Sequence, residues 1–162
     1  MIRPRDSSPK VLSLKPASRR TLRIETAAFL NVPYDKRFEN LYLAFIAGLC
    51  GFGLIPHATL EIPGSQRRLE RVIKLIRRCH FSFHDLSRVE LDRKYPPTPR
   101  FNMPFELGLA MASANQAGTA KCFVFEAKEY RIGKSLSDLD GTDPYIHGGK
   151  PEGVLRELSN AL

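Results

Sequence analysis

Two carboxylates in this chain have surroundings suited to chemistry. Glu106 lies in residues 100–114 (RFNMPFELGLAMASA), near the start of a stretch that reads as a helix. Asn102 is a good N-cap residue, and Pro104 suits a first helical turn because it has no amide hydrogen to leave unpaired. Beyond Glu106 the side chains are small or apolar, and Gly108, Ala110, Ala112 and Ala114 are expected to let this helix press against a sheet. A carboxylate in a first turn faces the positive end of the helix dipole, which should keep it ionised. An ionised carboxylate on a rigid element can act as a nucleophile or stabilise a cationic sugar. The second carboxylate, Asp85, ends the apolar run 81–86 (FSFHDL) and suits the holding of ribose hydroxyls or a base. Near these two in the chain, Arg88 and Arg100 can hold phosphate, and Tyr34, Phe101 and Phe105 can stack a base. Asn31, Ser87 and Asn102 complete the candidate nucleotide-binding set.

The elements that must position these residues alternate between strand and helix signals. Residues 26–32 (TAAFLNV) are almost wholly apolar, as a buried parallel strand requires. Asp35 is expected to cap a helix whose apolar positions Phe38, Leu41, Tyr42, Phe45, Ile46 and Leu49 follow the i, i+3, i+4 rule. Residues 53–60 (GLIPHATL) read as a strand, and Pro56 assigns it to a sheet edge. Ser65 is expected to cap the next helix, with Leu69, Val72, Ile73 and Ile76 inward. Its other face carries Arg67, Arg68, Arg71, Lys74, Arg77 and Arg78, and reads as solvated, with an acidic partner or nucleic acid as the alternative. The run 81–86 is a third strand, and residues 87–99 form a proline-containing loop. Residues 122–126 (CFVFE) are a fourth strand, followed by a long turn-rich segment, 127–150. A last helix opens at Pro151 and is expected to bury Val154, Leu155, Leu158 and Leu162.

This alternation predicts an α/β domain with a mostly parallel sheet in the order 2-1-3-4, helices on both faces, and right-handed crossovers. The connection then reverses direction between strands 1 and 3, and ligands bind outside the carboxyl ends of those strands. Residues 31–35, residues 85–88 and Glu106 all open onto that crevice.

Composition sets the limits. In 162 residues, 43% apolar and 26% charged, one domain with a sizeable core is expected, and no run is long enough to span a bilayer. The formal charge of +8 is concentrated in residues 1–23, where seven basic residues face the single acid Asp6. This leader reads as a disordered basic tail before a single domain, 24–162, with a nucleic-acid or acidic-partner arm as the less favoured reading. Three cysteines, Cys50, Cys79 and Cys122, have no metal-knuckle spacing and read as reduced core thiols of a cytoplasmic protein. The four histidines show no ligand spacing either, so no metal is expected. A Gly-rich dinucleotide or P-loop motif, a serine elbow and a Cys/His nucleophile pattern are all absent.

The run Arg100-Phe-Asn102-Met-Pro-Phe-Glu106-Leu-Gly108 resembles the R-x-N-V-x-F-E-L-G segment of the TIR-like, predicted nucleotide-binding domains of bacterial anti-phage effectors. Ser137-Asp138-Leu139-Asp140-Gly141, with Tyr145 after it, resembles the P-S-D-(I/L)-x-G-x-x-Y segment of the same domains. The opening FLNVPYDKRFENLY (29–42) and Phe83-His84-Asp85-Leu86-Ser87 are similar to the wider superfamily that includes the nucleoside 2-deoxyribosyltransferases. The resemblance covers residues 27–147. It implies a flavodoxin-like three-layer sandwich, with room for a fifth strand, and attack on an N-glycosidic bond, with Glu106 matching the catalytic glutamate. In the TIR-like branch the bond is that of NAD, which would be substrate rather than cofactor, and the setting antiviral defence. Pro104 within the motif and Leu136 in place of the proline before Ser137 depart from the pattern. No sensor domain accompanies these motifs, so a homo-oligomer or a separate sensor protein is the expected partner, with no membrane role. The enzyme reading, NAD nucleosidase, is preferred. Nucleoside or nucleotide deoxyribosyl transfer or hydrolysis is one alternative, and a non-catalytic nucleotide-sensing or assembly domain is the other.

Overall fold

The computed structural model describes residues 26–59, 68–117, 120–139 and 143–162. The basic leader 1–23, the cap expected at Ser65, Arg67 on the basic face, and Asp140 and Gly141 of the second motif lie outside the described residues. The strands are β1 (Ala27–Asn31), β2 (Ile55–Ala58), β3 (Phe81–Asp85), β4 (Lys121–Glu126) and β5 (Tyr145–Ile146). The helices are α1 (Glu39–Gly51), α2 (Arg68–Arg78), α3 (Asn102–Ala117), α4 (Arg131–Ser135) and α5 (Pro151–Ala161).

The strands form one sheet in the order β2-β1-β3-β4-β5, every pairing parallel, so the predicted order 2-1-3-4 holds and gains a fifth strand. Alternation along β1 divides the core. Ala28 and Leu30 face α1 and α5, where Phe45, Leu49, Val154 and Leu158 meet Phe83 and Phe125. Ala27 and Phe29 face α2 and α3, where Val72, Ile76 and Ala110 pack. Two helical layers around a sheet make the flavodoxin-like three-layer sandwich.

Several local expectations change. Asp35 does not cap α1: its backbone carbonyl accepts from Phe38 N–H at 2.8 Å, while its carboxylate turns away to Arg88. Of the small residues expected to press α3 against the sheet, Ala110 is buried, whereas Gly108 and Ala112 are exposed. Leu69 on α2 and Leu155 and Leu162 at the C-terminus are exposed, because the apolar stripe is narrower than the sequence period suggests. Cys79 is a buried thiol, but Cys50 is exposed at the end of α1. The segment 127–150 is not a free loop, since it contains α4, a short 3-10 turn (Ser137–Leu139) and β5.

The entry to α5 is tightly determined. Gly148 and Gly149 both take positive φ, 67° and 71°, and turn the chain from β5 into the helix. At Gly153, a Cβ would lie 2.0 Å from the carbonyl oxygen of His147, so the helix seats there only because the side chain is absent. Gly153→Ala is expected to cost about 3 kcal/mol and to lower Tm by roughly 10 °C, since the obstacle is backbone and cannot swing aside. A thermal melt within 2 °C of the unaltered chain would contradict this close seating.

Candidate functional site

The site builds upward from the carboxyl ends of β1 and β3. Asn31, the last residue of β1, is buried, and its side-chain amide donates to the carbonyl of Met103 and to Nδ1 of His84, both at 2.9 Å. These bonds pin the first turn of α3 to the strand ends. They also fix the His84 tautomer: Nδ1 accepts, so Nε2 carries the proton. His84 is fully buried against Phe29, and burial pushes its pKa down to about 3, leaving it neutral.

Helix α3 starts one residue earlier than its cap signal suggests. Asn102 is already helical, and the Phe105 N–H donates to Phe101 O at 3.1 Å, so Asn102 does not serve as the N-cap. Glu106 therefore falls in the second turn, beyond the free amides that carry the positive end of the dipole. The expectation that the dipole keeps it ionised fails. Glu106 is 7% exposed, and burial pushes its pKa up to about 7 against the opposing pull of the Arg68 charge. One carboxylate oxygen, Oε2, has no hydrogen-bond partner among the described residues. At neutral pH this carboxyl is near its midpoint between protonated and ionised.

A small polar pocket opens over Glu106, lined by Tyr34, Arg68, Arg88, Arg100, Asn102 and Thr59 among others. The expected residues Tyr34, Arg88, Arg100, Asn102 and Glu106 thus converge. Arg68 and Thr59 were missed. Arg68 read as part of the solvated face of α2, but it opens that helix directly beside the strand ends. Arg100 does not spend its charge on the preceding loop: Glu90 pairs with Arg37 at 2.9 Å, and Asp92 accepts backbone N–H groups of Lys94 and Thr98. Arg88 pairs with Asp35, and its buried Nη1 has no hydrogen-bond partner among the described residues.

Asp85 and Ser87 do not line the pocket. They sit below it in a buried network that holds Ser87 by three of its groups. Its N–H donates to Asp85 Oδ1 at 2.8 Å, its carbonyl accepts from Arg131 at 3.0 Å, and its hydroxyl lies 3.1 Å from His147 Nε2. Gly149 N–H donates to His147 Nδ1 at 3.1 Å, so Nε2 carries the proton and donates to the serine. That direction is opposite to nucleophile activation, where the imidazole must accept the serine proton. Arg131 is itself paired with the buried Glu126 at the end of β4. This network fixes the backbone that presents Arg88, and sequence patterning gave no sign of His147 in it.

Phe105, in the first turn of α3, and Phe101, just before that helix, are exposed, at 55% and 65%, and are sequence neighbours of the lining residues Arg100, Asn102 and Glu106, while Tyr34 is exposed in the pocket wall. Among the described residues no cluster of His, Cys, Asp or Glu could hold a metal ion, and no helix is long and apolar enough to cross a membrane. What the arrangement offers is a carboxyl titrating near neutrality, three guanidinium groups and stacking surfaces around one small cavity.

No protein-family model and no curated protein matches the sequence. Among solved structures the chain is similar to a CMP N-glycosidase of Clostridium botulinum, BcmB, with 15% identity and a TM-score of 0.54. The match covers 84% of this chain and 99% of that one. At that identity it is the flavodoxin-like fold that the two chains share.

Proposed function

We propose that this chain is an N-glycosidase acting on phosphate-bearing nucleotides, with Glu106 as the catalytic carboxyl. One observation carries the reading: the buried carboxyl of Glu106 opens into a pocket lined by Arg68, Arg88 and Arg100 at the point where the strand order reverses. The guanidinium groups hold phosphate through paired hydrogen bonds. They anchor the nucleotide so that its anomeric carbon comes to the carboxylate. The C1′–N bond breaks, the base leaves with the bonding pair, and Glu106 captures or stabilises the sugar cation until water supplies the C1′ hydroxyl. The similarity to a CMP N-glycosidase supports this reaction class.

The finer reading is NAD as first substrate, in the TIR-like manner, supported by the motif around Arg100 and Glu106. A nucleoside monophosphate is the second reading, favoured by the structural neighbour and by the small pocket. Incubation of the full chain with NAD, CMP, cytidine and deoxyadenosine, with free base read by chromatography, decides among them. Release from the phosphate-bearing pair is expected to exceed that from the nucleosides. No release from any of them leaves a non-catalytic nucleotide-sensing domain as the answer.

Arg100→Ala is expected to weaken NAD or CMP binding by about 1.5–3 kcal/mol, the worth of a charge-assisted contact, with cytidine little affected. Equal losses for nucleotide and nucleoside would remove Arg100 from the phosphate contacts. With ionised Glu106 as the reacting form, base release rises with pH through about 7 and then levels. A fall through the same range would make the protonated carboxyl the working form, as an acid toward the leaving base.

A further inference from the structure

The outer face of α2 continues the positive charge of the pocket. Arg71, Lys74 and Arg78 lie within an arc of about 60° on the helix and are exposed, and Arg68, one turn before Arg71, lines the pocket. No ion pair joins Arg71, Lys74, Arg77 or Arg78 to a described residue, and Glu70 is the single acid on the helix. The ridge runs roughly 15 Å from the pocket toward the amino-terminal ends of the strands. There His80 N–H donates to Ala27 O and Lys121 N–H to His80 O, both at 3.0 Å, so the ridge ends beside exposed Lys121 and the start of β1. The chain that leads into β1 carries, in residues 1–23, seven basic residues against one acid. At the pocket end Tyr34 is exposed in the wall, and the exposed Phe101 and Phe105 are sequence neighbours of the lining residues Arg100, Asn102 and Glu106.

We propose that this ridge is a docking track for single-stranded nucleic acid, with the end nucleotide of the strand in the Glu106 pocket. The proposal deepens and rests on the nucleotide reading of that pocket. A basic track that follows a phosphate backbone, joined to aromatic faces on which bases stack, is the combination by which single strands are held. A duplex offers no unstacked end base to the rings, and a plain polyanion has no base at all.

The test is fluorescence anisotropy of labelled twelve-nucleotide DNA and RNA strands on the full chain between 50 and 300 mM salt, beside CMP binding. Arg71→Ala/Lys74→Ala/Arg78→Ala, all at exposed positions, is expected to weaken strand binding about tenfold or more. It should also flatten the log–log salt slope by about 2, three lost contacts at roughly 0.7 each, with CMP affinity unchanged within about twofold. Strand binding that ignores the triple substitution overturns the track. Polyphosphate competing as well per phosphate as the strand, or a blunt duplex binding as tightly, overturns its assignment to single strands. Base release from CMP or NAD without strand binding removes this proposal and leaves the glycosidase reading intact. Strand binding without base release from any nucleotide does the reverse.

Discussion

Glu106→Gln is expected to abolish base release, by about a thousandfold or more, and to stabilise the fold at pH 8. The two effects have one origin. Burial raises the folded-state pKa of Glu106 from 4.5 to about 7. The stability associated with its protonated form is fully present below about pH 4.5 and is lost as pH rises through about 7. Above that point the ionised, buried carboxylate costs up to about 3 kcal/mol, from roughly 1.4 kcal/mol for each pKa unit. Glutamine keeps the shape and removes the titration. Melting curves between pH 5 and 8 should therefore fall more steeply for the unaltered chain than for the variant, with the gap widening to several degrees at pH 8. Parallel curves would show that the carboxyl is solvated, and unchanged turnover would remove its catalytic role.

Arg131→Met should produce the largest loss of stability among single changes around the site, about 3–5 kcal/mol. Glu126 is 1% exposed, and Arg131 is its counter-charge among the described residues. Removing one partner strands a buried charge, which costs far more than the pair contributes. The same change frees the Ser87 carbonyl that Arg131 holds. The double variant Arg131→Met/Glu126→Gln is expected to regain most of the loss, because no uncompensated charge remains. Denaturant midpoints of the three proteins measure this. A single-variant loss below 1 kcal/mol, or a double variant no better than the single, would show that water reaches Glu126.

The architecture was legible because its signals are repeated. Four apolar runs alternating with helical periods leave few alternatives to a parallel sheet, and the crevice at its reversal follows from connectivity alone. Convergence of Tyr34, Arg88, Arg100, Asn102 and Glu106 on that crevice could be read from their places at element ends. What escaped the sequence depended on single residues and on distance in space. The start of α3 moved one residue because Asn102 entered the helix rather than capping it, which takes Glu106 out of the first turn, and burial, which no local pattern encodes, raises its pKa. Arg68 shares its residue type and spacing with the solvated arginines of α2, so only the packing of that helix separates it from them. His147 reaches Ser87 across 60 positions of chain, a contact that no local pattern encodes. β5 has two residues, too few for any period to show.

The two outer strands of the sheet govern how the molecule meets copies of itself. On β2, Ile55 N–H points inward to Thr26 O, so the nitrogen of the next residue, Pro56, faces outward and presents no donor. On the other side β5 has only two residues. Among the described residues, the missing donor at Pro56 and the shortness of β5 both work against an added strand, which guards a sheet rich in phenylalanine against edge-to-edge aggregation. Self-association through helix faces or the loops around the crevice, unlike continuous β-sheet growth, would alter access to Glu106.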